Sequence, residues 1–282
     1  MKVAVIGANG QAGVDIAKMF ATAGHNVTGL THSEIEVTDT ASIRDTLQGY
    51  DVIINTAALH VVNCEKDPGK AYLVNAIGAR NIAETARESH ALLIHVSTEQ
   101  VFDGTKETPY IEFDLPCPRT VYGSTKLAGE YFIINSGADY QILRTAALFG
   151  HSPTRGKTGG LNFIELMLKL AREKGIVKVV NDEFVNPTST VSLAKQMVAL
   201  SQTEHRGIFH AASHGSCSWY DFAREIFDQT GTEVKLEVAP PALGLTRAKY
   251  GVLSGFRLRR LNLDVFDTWE NELREYLKGA VE

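Results

Sequence analysis

Tyr122 and Lys126 are the residues whose types and spacing point most directly to catalysis. They stand four residues apart in the segment VYGSTKLAGE, a spacing that places two side chains on one face of a helix. A phenol exchanges its proton poorly at neutral pH because its pKa is about 10, and a nearby ammonium favours the phenolate and lowers that pKa. The pair predicts a proton-donating tyrosine activated by a lysine.

A second candidate group follows a buried, β-branched run at residues 92–96. Ser97 and Thr98 come directly after it, in STEQVFDG. Ligands of open α/β sheets bind beyond the carboxyl ends of the strands, so a hydroxyl here could polarise a substrate carbonyl. Neighbouring strand residues face opposite sides of the sheet, so only one of the two hydroxyls can point into a site. The sequence leaves that choice open.

A glycine-rich segment opens the chain. Gly7, Gly10 and Gly13 stand in GANGQAG, between a short apolar strand and a helical stretch. In this context glycines allow a tight turn, close approach of the backbone to a pyrophosphate, and close packing of helix on strand. The helix N-terminus presents unpaired N–H groups to the phosphates. The segment therefore predicts a dinucleotide cofactor.

The second strand should decide which nicotinamide cofactor is used. It ends at Leu30-Thr31-His32-Ser33, where a carboxylate would hold the adenosine ribose of NAD and repel the 2′-phosphate of NADP. The segment has no acidic residue and no compensating arginine. We expect NADP(H) to be favoured, with NAD(H) also possible.

These residues require a scaffold of alternating strands and helices. The pattern predicts strands at 3–6, 26–30, 52–55, 92–97 and 140–144, and helices at 13–23, 43–47, 71–89 and 125–135. Such alternation is typical of an α/β fold with a doubly wound parallel sheet. We expect a Rossmann domain over 1–150 and a smaller, mainly substrate-binding domain over 151–282, from which segments at about 177–212 return to the first domain.

Composition excludes several other function classes. The 282 residues carry a net charge of −5 and a pI near 6.0, without the basic footprint expected of a nucleic-acid-binding protein. Three dispersed cysteines and nine histidines show no metal-ligand spacing, so we expect no metal site and no disulfides. No membrane span or signal peptide is predicted, and a cytoplasmic location is the expectation.

The combined motifs resemble the extended short-chain dehydrogenase/reductases, and within them the dTDP-4-dehydrorhamnose reductases. The resemblance covers nearly the whole chain and includes GANGQAG, STEQVFDG, VYGSTKLAGE and SWYDFAREIF. It implies reduction of the C4 keto group of a nucleotide-linked deoxysugar, as in dTDP-L-rhamnose biosynthesis. The implied catalytic residues are Thr98, Tyr122 and Lys126, and by analogy a homodimer is possible. The implied cofactor contacts are Gly7, Gly10, Gln11, Ala12, Gly13, Thr31, Glu36, Val37, Ala57, Ala58, Leu59, Tyr122 and Lys126.

Three departures from that family fall on the substrate side. Glu99 and the following glutamine replace Asp-Tyr, Ala147 replaces a tryptophan that contacts the sugar, and Arg247 is followed by alanine instead of proline. Together with Thr98, these are the predicted substrate contacts. Loss of the indole should leave a roomier pocket or a gap filled by another side chain. Two alternatives remain open: a sugar-nucleotide epimerase or dehydratase, and a non-catalytic NADP-binding regulatory subunit resembling the β subunit of methionine adenosyltransferase.

Overall fold

A six-stranded parallel sheet forms the centre of the computed structural model, which describes residues 1–154, 159–240 and 248–279. Its strands are β1 (Lys2–Ile6), β2 (Asn26–Leu30), β3 (Val52–Asn55), β4 (Leu92–Thr98), β5 (Tyr140–Thr145) and β10 (Gly207–His210). Their order is β10-β5-β4-β3-β1-β2, and every neighbouring pair is parallel. The chain reverses its winding between β1 and β3, and open α/β sheets bind ligands at such a point.

Helices cover both faces of this sheet, which confirms the doubly wound α/β prediction. On one face, α1 (Gln11–Thr22) and α8 (Thr190–Ser201) bury Ile16, Phe20 and Leu193 against the strands. On the other face lie α2 (Thr40–Thr46), α5 (Gly78–Glu88) and α6 (Val121–Ile134), with Ile43 and Ile82 in the core. Because both faces are covered, the inner strands β1 and β3 are buried along almost their whole length, whereas the edge strand β2 is largely exposed.

Two of the predicted helices differ from the observed ones. The helix predicted at 71–89 is divided into α4 (Pro68–Tyr72), a π-helical turn (Leu73–Ile77) and α5, preceded by the short α3 (Val61–Lys66). The helix predicted from 125 begins at Val121, because the Thr120 side chain accepts a hydrogen bond from the N–H of Gly123 and caps it. Tyr122 therefore lies in the first turn of α6.

The second half of the chain has a separate apolar core. It is formed by β6 (Leu148–Phe149), α7 (Phe163–Lys174), β7 (Ile176–Val179), α9 (Trp219–Thr230), β12 (Lys235–Val238) and α11 (Trp269–Gly279). The shorter elements are β8 (Phe184–Val185), β9 (Thr188–Ser189), β11 (Cys217–Ser218) and α10 (Phe256–Arg260). Within 177–212, β10 joins the edge of the first sheet and α8 packs on its face. In contrast, β7 pairs with β12 in the second half.

Candidate active site

The glycine turn leaves room only for backbone. Gly7 directly follows β1 with φ of 80°, and its N–H donates to the carbonyl of Leu30 at 2.8 Å. A Cβ on Gly13 would lie 2.2 Å from the Gly7 carbonyl oxygen, so helix α1 can approach the strand this closely only with glycine there. Gly10 caps α1 without a side chain, and the first N–H groups of the helix point at the loop. This geometry fits a pyrophosphate cradle.

The segment after β3 forms the neighbouring wall. The N–H of Ala57 donates to the Asn55 side-chain oxygen at 3.0 Å, and the N–H of Leu59 donates to Asn75 at 2.7 Å. Two asparagine side chains therefore fix the predicted contact segment Ala57–Leu59. Gln11, at the start of α1, donates to the carbonyl of Gly150 at 3.3 Å. The segment, the glycine turn and Gln11 lie at the carboxyl edge of the sheet.

A carboxylate does reach the end of β2, which corrects the expectation that this place has none. Glu34 folds back so that Oε2 accepts the N–H of Thr31 at 2.7 Å and the Thr31 hydroxyl, while Oε1 accepts the Ser33 hydroxyl at 2.9 Å. These hydrogen bonds lower the pKa of the Glu34 carboxyl, the Thr31 hydroxyl contributing most. The sequence pattern missed this residue because a turn, not the strand, brings it back.

The other two predicted residues of this region lie in the loop before α2. Glu36 accepts hydrogen bonds from the backbone and hydroxyl of Thr38, and His32 lies 3.3 Å from its carboxylate. Val37 is buried, and its carbonyl accepts from Asn81 at 3.3 Å. Glu36 and Val37 both belong to the loop between β2 and α2.

Thr98, and not Ser97, contacts Tyr122. The Thr98 side chain lies next to the phenol and donates to Glu99 Oε2 at 2.7 Å. Ser97 instead donates to Glu130, which forms a buried ion pair with Arg144 at 2.6 Å. The structure thus separates the two hydroxyls that the sequence could not distinguish.

The expected lowering of the Tyr122 pKa is wrong for this structure. Burial of the phenol, followed by the negative charge of Glu99, raises the pKa of Tyr122 well above its ordinary value. Lys126 does not offset this, because its Nζ is 3.0 Å from His95 Nε2 and donates to the carbonyl of Val96 at 2.7 Å. Lys126 is 2% exposed, and burial lowers its pKa to about 8.

Glu65 is a contact whose role the sequence did not reveal. Its Oε1 accepts the N–H groups of Val121 at 2.8 Å and Tyr122 at 3.4 Å, so a carboxylate from α3 caps the helix that carries the tyrosine. Anionic groups stabilise helix N-termini. The adjacent Cys64 is fully buried, and burial raises the pKa of its thiol. A buried thiol with a raised pKa is a poor nucleophile.

The substrate side is an open cavity of about 350 Å³ next to Thr98, Glu99 and Tyr122. Ala147 lines it with φ of 42°, in the left-handed region. Phe163 and Trp219 line the same cavity, their rings 4.6 Å apart, so aromatic side chains from α7 and α9 stand near the alanine. The predicted contact Arg247 lies outside the described residues.

The described part of the chain contains no cluster of three or more His, Cys, Asp or Glu side chains suited to a metal ion. In that same part, no helix has both the length and the apolar character needed to cross a bilayer.

Comparison with known proteins places the chain in a family. Residues 1–281 match the RmlD substrate binding domain. A spore coat polysaccharide biosynthesis protein of Bacillus subtilis is 38% identical over 98% of this chain and 97% of its own. A dTDP-4-dehydrorhamnose reductase of Aggregatibacter actinomycetemcomitans is 34% identical over 90% of this chain and 87% of its own.

Solved structures agree. A dTDP-4-dehydrorhamnose reductase from Clostridium acetobutylicum superposes with a TM-score of 0.94 at 35% identity, covering all of both chains. The enzyme of that name from Bacillus anthracis, in complex with NADP, gives 0.92 at 31% identity over 99% of each chain. A UDP-glucose 4-epimerase from Thermotoga maritima, at 17% identity and a TM-score of 0.84, shows the shared fold alone.

Proposed function

The chain belongs to the RmlD substrate binding domain family of extended short-chain dehydrogenase/reductases, and from that premise we propose that it is an NADPH-dependent reductase. Its substrate is a dTDP-linked 4-keto-6-deoxy sugar, dTDP-4-dehydrorhamnose, and its place is in dTDP-L-rhamnose biosynthesis. Curated relatives and solved structures named for this activity support the proposal.

One observation carries the proposal on the structural side. The neighbouring hydroxyls of Tyr122 and Thr98 line one cavity at the carboxyl edge of the parallel sheet that also carries the glycine turn. A site for a dinucleotide and a pair of proton-donating groups therefore share one edge, as a hydride-transfer enzyme requires.

The chain's own residues fit the cofactor. The absence of side chains at Gly7, Gly10 and Gly13 lets the turn approach a pyrophosphate closely, with Gln11 and Ala12 in the first turn of α1. We assign Thr31, Glu36 and Val37 to the adenosine side, Ala57, Ala58 and Leu59 to the opposite wall, and Lys126 to the nicotinamide ribose. Bound NADPH supplies the hydride.

Proton delivery falls to the side chains around the C4 keto oxygen. The Thr98 hydroxyl turns from Glu99 to donate its hydrogen bond to that oxygen, and Tyr122 transfers its proton to it as negative charge develops. The raised pKa of Tyr122 keeps the phenol protonated at neutral pH, which is the form that a reduction consumes. In the free protein Glu99 accepts the Thr98 hydroxyl at 2.7 Å, and Glu99 lines the cavity with Ala147.

Cofactor choice follows from the end of β2. The NADP complex of the Bacillus anthracis relative supports NADP(H) for this chain. Glu34 lies where it could accept the ribose hydroxyls of NAD, so NAD(H) use remains part of the proposal. A cytoplasmic location and a homodimer are further parts of it.

The deciding experiment mixes the purified protein with NADPH and dTDP-4-dehydrorhamnose and follows the loss of NADPH absorbance. The proposal predicts stoichiometric oxidation that is much slower in Tyr122→Phe. An epimerase would change the sugar without net consumption of cofactor. A regulatory subunit would bind NADPH, consume none, and co-purify with a methionine adenosyltransferase.

A further inference from the structure

A buried chain of polar side chains runs behind Lys126, away from the cavity. His95 on β4 and Asn55 on β3 are register partners in the parallel sheet. The Asn55 Nδ2 atom is 3.1 Å from His95 Nδ1, and His95 Nε2 is 3.0 Å from Lys126 Nζ. His95, Asn55 and Lys126 are each no more than 3% exposed, so no bulk water can take the place of these contacts.

The orientation of Asn55 determines where the proton of His95 lies. Asn55 Oδ1 accepts the N–H of Ala57 at 3.0 Å, so its NH₂ group faces His95. An NH₂ group only donates, and His95 Nδ1 must therefore be the acceptor. Burial holds the pKa of His95 well below its ordinary value, and a neutral imidazole carries one proton. That proton is on Nε2, pointing at Lys126.

An Nε2–H group can bond Lys126 Nζ only if the amine offers a lone pair. An ammonium has three donors and no acceptor, whereas the uncharged amine has two donors and one lone pair. One of its donors is used by the carbonyl of Val96 at 2.7 Å. The uncharged amine can therefore form both observed contacts, whereas the ammonium cannot accept from His95 Nε2–H.

The other ionisable groups around Lys126 do not reverse this preference. Glu130 lies one turn along α6 and raises the lysine pKa, but it is paired with Arg144. Cys64 on α3 has a raised pKa and is a neutral thiol near pH 7, and the Tyr122 pKa is raised as well. Burial is the largest influence on Lys126 and lowers its pKa to about 8.

We propose that His95, oriented by Asn55, is a positioning residue that favours the uncharged amine of Lys126 in the cofactor-free protein. Above about pH 8 the lysine therefore gains its charge only when cofactor binds. The inference rests on the proposed function, because Lys126 is there assigned to the nicotinamide ribose. Engagement of the ribose releases Nζ from His95 and favours the ammonium, so cofactor binding takes up a proton. Asn55 also accepts the N–H of Ala57, a predicted cofactor contact. This asparagine therefore connects the cofactor site to His95 and Lys126.

Two measurements on the wild-type protein test this inference. Nitrogen NMR of the histidine rings in the cofactor-free protein should show His95 as the Nε2–H tautomer. Calorimetric titration with NADPH in buffers of different ionisation enthalpy measures proton uptake. Uptake should be small at about pH 7, where most of the free lysine is already charged, and should reach most of one proton at about pH 9.

The substitution Asn55→Asp tests whether the asparagine determines the tautomer of His95. One carboxylate oxygen can still accept from Ala57, while the other accepts from His95 Nδ1 and forces the opposite tautomer. His95 should then accept from a charged Lys126, and the proton uptake at about pH 9 should fall by more than half. His210→Gln is the matched control, because His210 is a buried histidine on β10 whose Nδ1 contacts the carbonyl of Tyr110. Its uptake should equal that of the wild type.

An Nδ1–H tautomer in the wild type, or no uptake at about pH 9 with NADPH bound, would overturn the inference. Those results would leave the reductase proposal standing. Failure to bind NADPH at any pH would contradict both. If Asn55→Asp does not fold, the two wild-type measurements decide.

Discussion

The two sides of the cavity are built in different ways. The cofactor side uses residues close together in sequence: the glycine turn spans Gly7 to Gly13, and Tyr122 and Lys126 share one helix. The substrate side combines Ala147, Phe163 and Trp219 from separate elements of the second half. The sheet edge fixes the first side, whereas packing between distant helices fixes the second. Substitutions should therefore affect chemistry on one side and substrate fit on the other.

The largest effect should come from the proton donor. Tyr122→Phe removes the hydroxyl that lines the cavity beside Thr98, and loss of a general acid typically lowers kcat by about 10²–10⁴-fold. The Kd for NADPH should change little, because the ring remains. Steady-state kinetics and a binding titration check both, with Tyr131→Phe, an exposed position on the same helix, as the control. Unchanged turnover would remove Tyr122 from the mechanism.

The substrate side can be tested at Ala147. Phe163 and Trp219 already stand in this cavity, so an indole added at 147 would crowd them. Overpacking costs about 1–3 kcal/mol, and Ala147→Trp should lower kcat/KM for dTDP-4-dehydrorhamnose by roughly tenfold or more. Ala147→Ser is the size-matched control. Improved turnover in the tryptophan variant would show that the family's sugar contact is vacant here and can be restored.

A smaller effect is expected at the adenosine end. Glu34→Gln keeps the shape of the carboxylate and removes its charge, which should raise the kcat/KM preference for NADPH over NADH. Glu34 is exposed, so screening limits the shift to roughly three- to tenfold, and added salt should reduce it. Thr31→Asp should move the preference the other way. Kinetics with both cofactors measure the ratio, and a ratio that is the same in all three proteins would exclude Glu34 from cofactor choice.

The smallest effect concerns the cap contributed by α3. Glu65→Ala leaves the N–H groups of Val121 and Tyr122 without their acceptor, and loss of a helix cap typically costs about 0.5–2 kcal/mol. Denaturant unfolding should show that loss, while Glu65→Gln, which keeps an acceptor oxygen, should recover most of it. Equal destabilisation by both variants would mean that charge, and not hydrogen bonding, is the contribution of Glu65.

Sequence could predict the cofactor side because its signals are local. The strand Lys2–Ile6, the glycine turn and the helix Gln11–Thr22 follow one another directly in the sequence. The type of each segment therefore limits the conformation of the next. The position of Glu34 was missed because it depends on how one turn folds back on Thr31. Likewise, the spacing of Tyr122 and Lys126 indicated a shared helix face but not that His95 holds the amine away. His95 meets Asn55 and Lys126 from a different strand and a different helix, and the spacing of residues within one segment does not reveal such contacts.

The central claim, hydride transfer to a sugar C4, is tested most directly with deuterium-labelled NADPH. The protein is incubated with NADPH carrying deuterium at the transferable position of the nicotinamide and with dTDP-4-dehydrorhamnose, and the sugar is analysed by NMR and mass spectrometry. We predict one deuterium at C4 of the product for each NADPH oxidised in the wild type, and the same ratio at a much lower rate in Tyr122→Phe. A product without deuterium, or a sugar altered while NADPH remains unoxidised, would contradict the assignment.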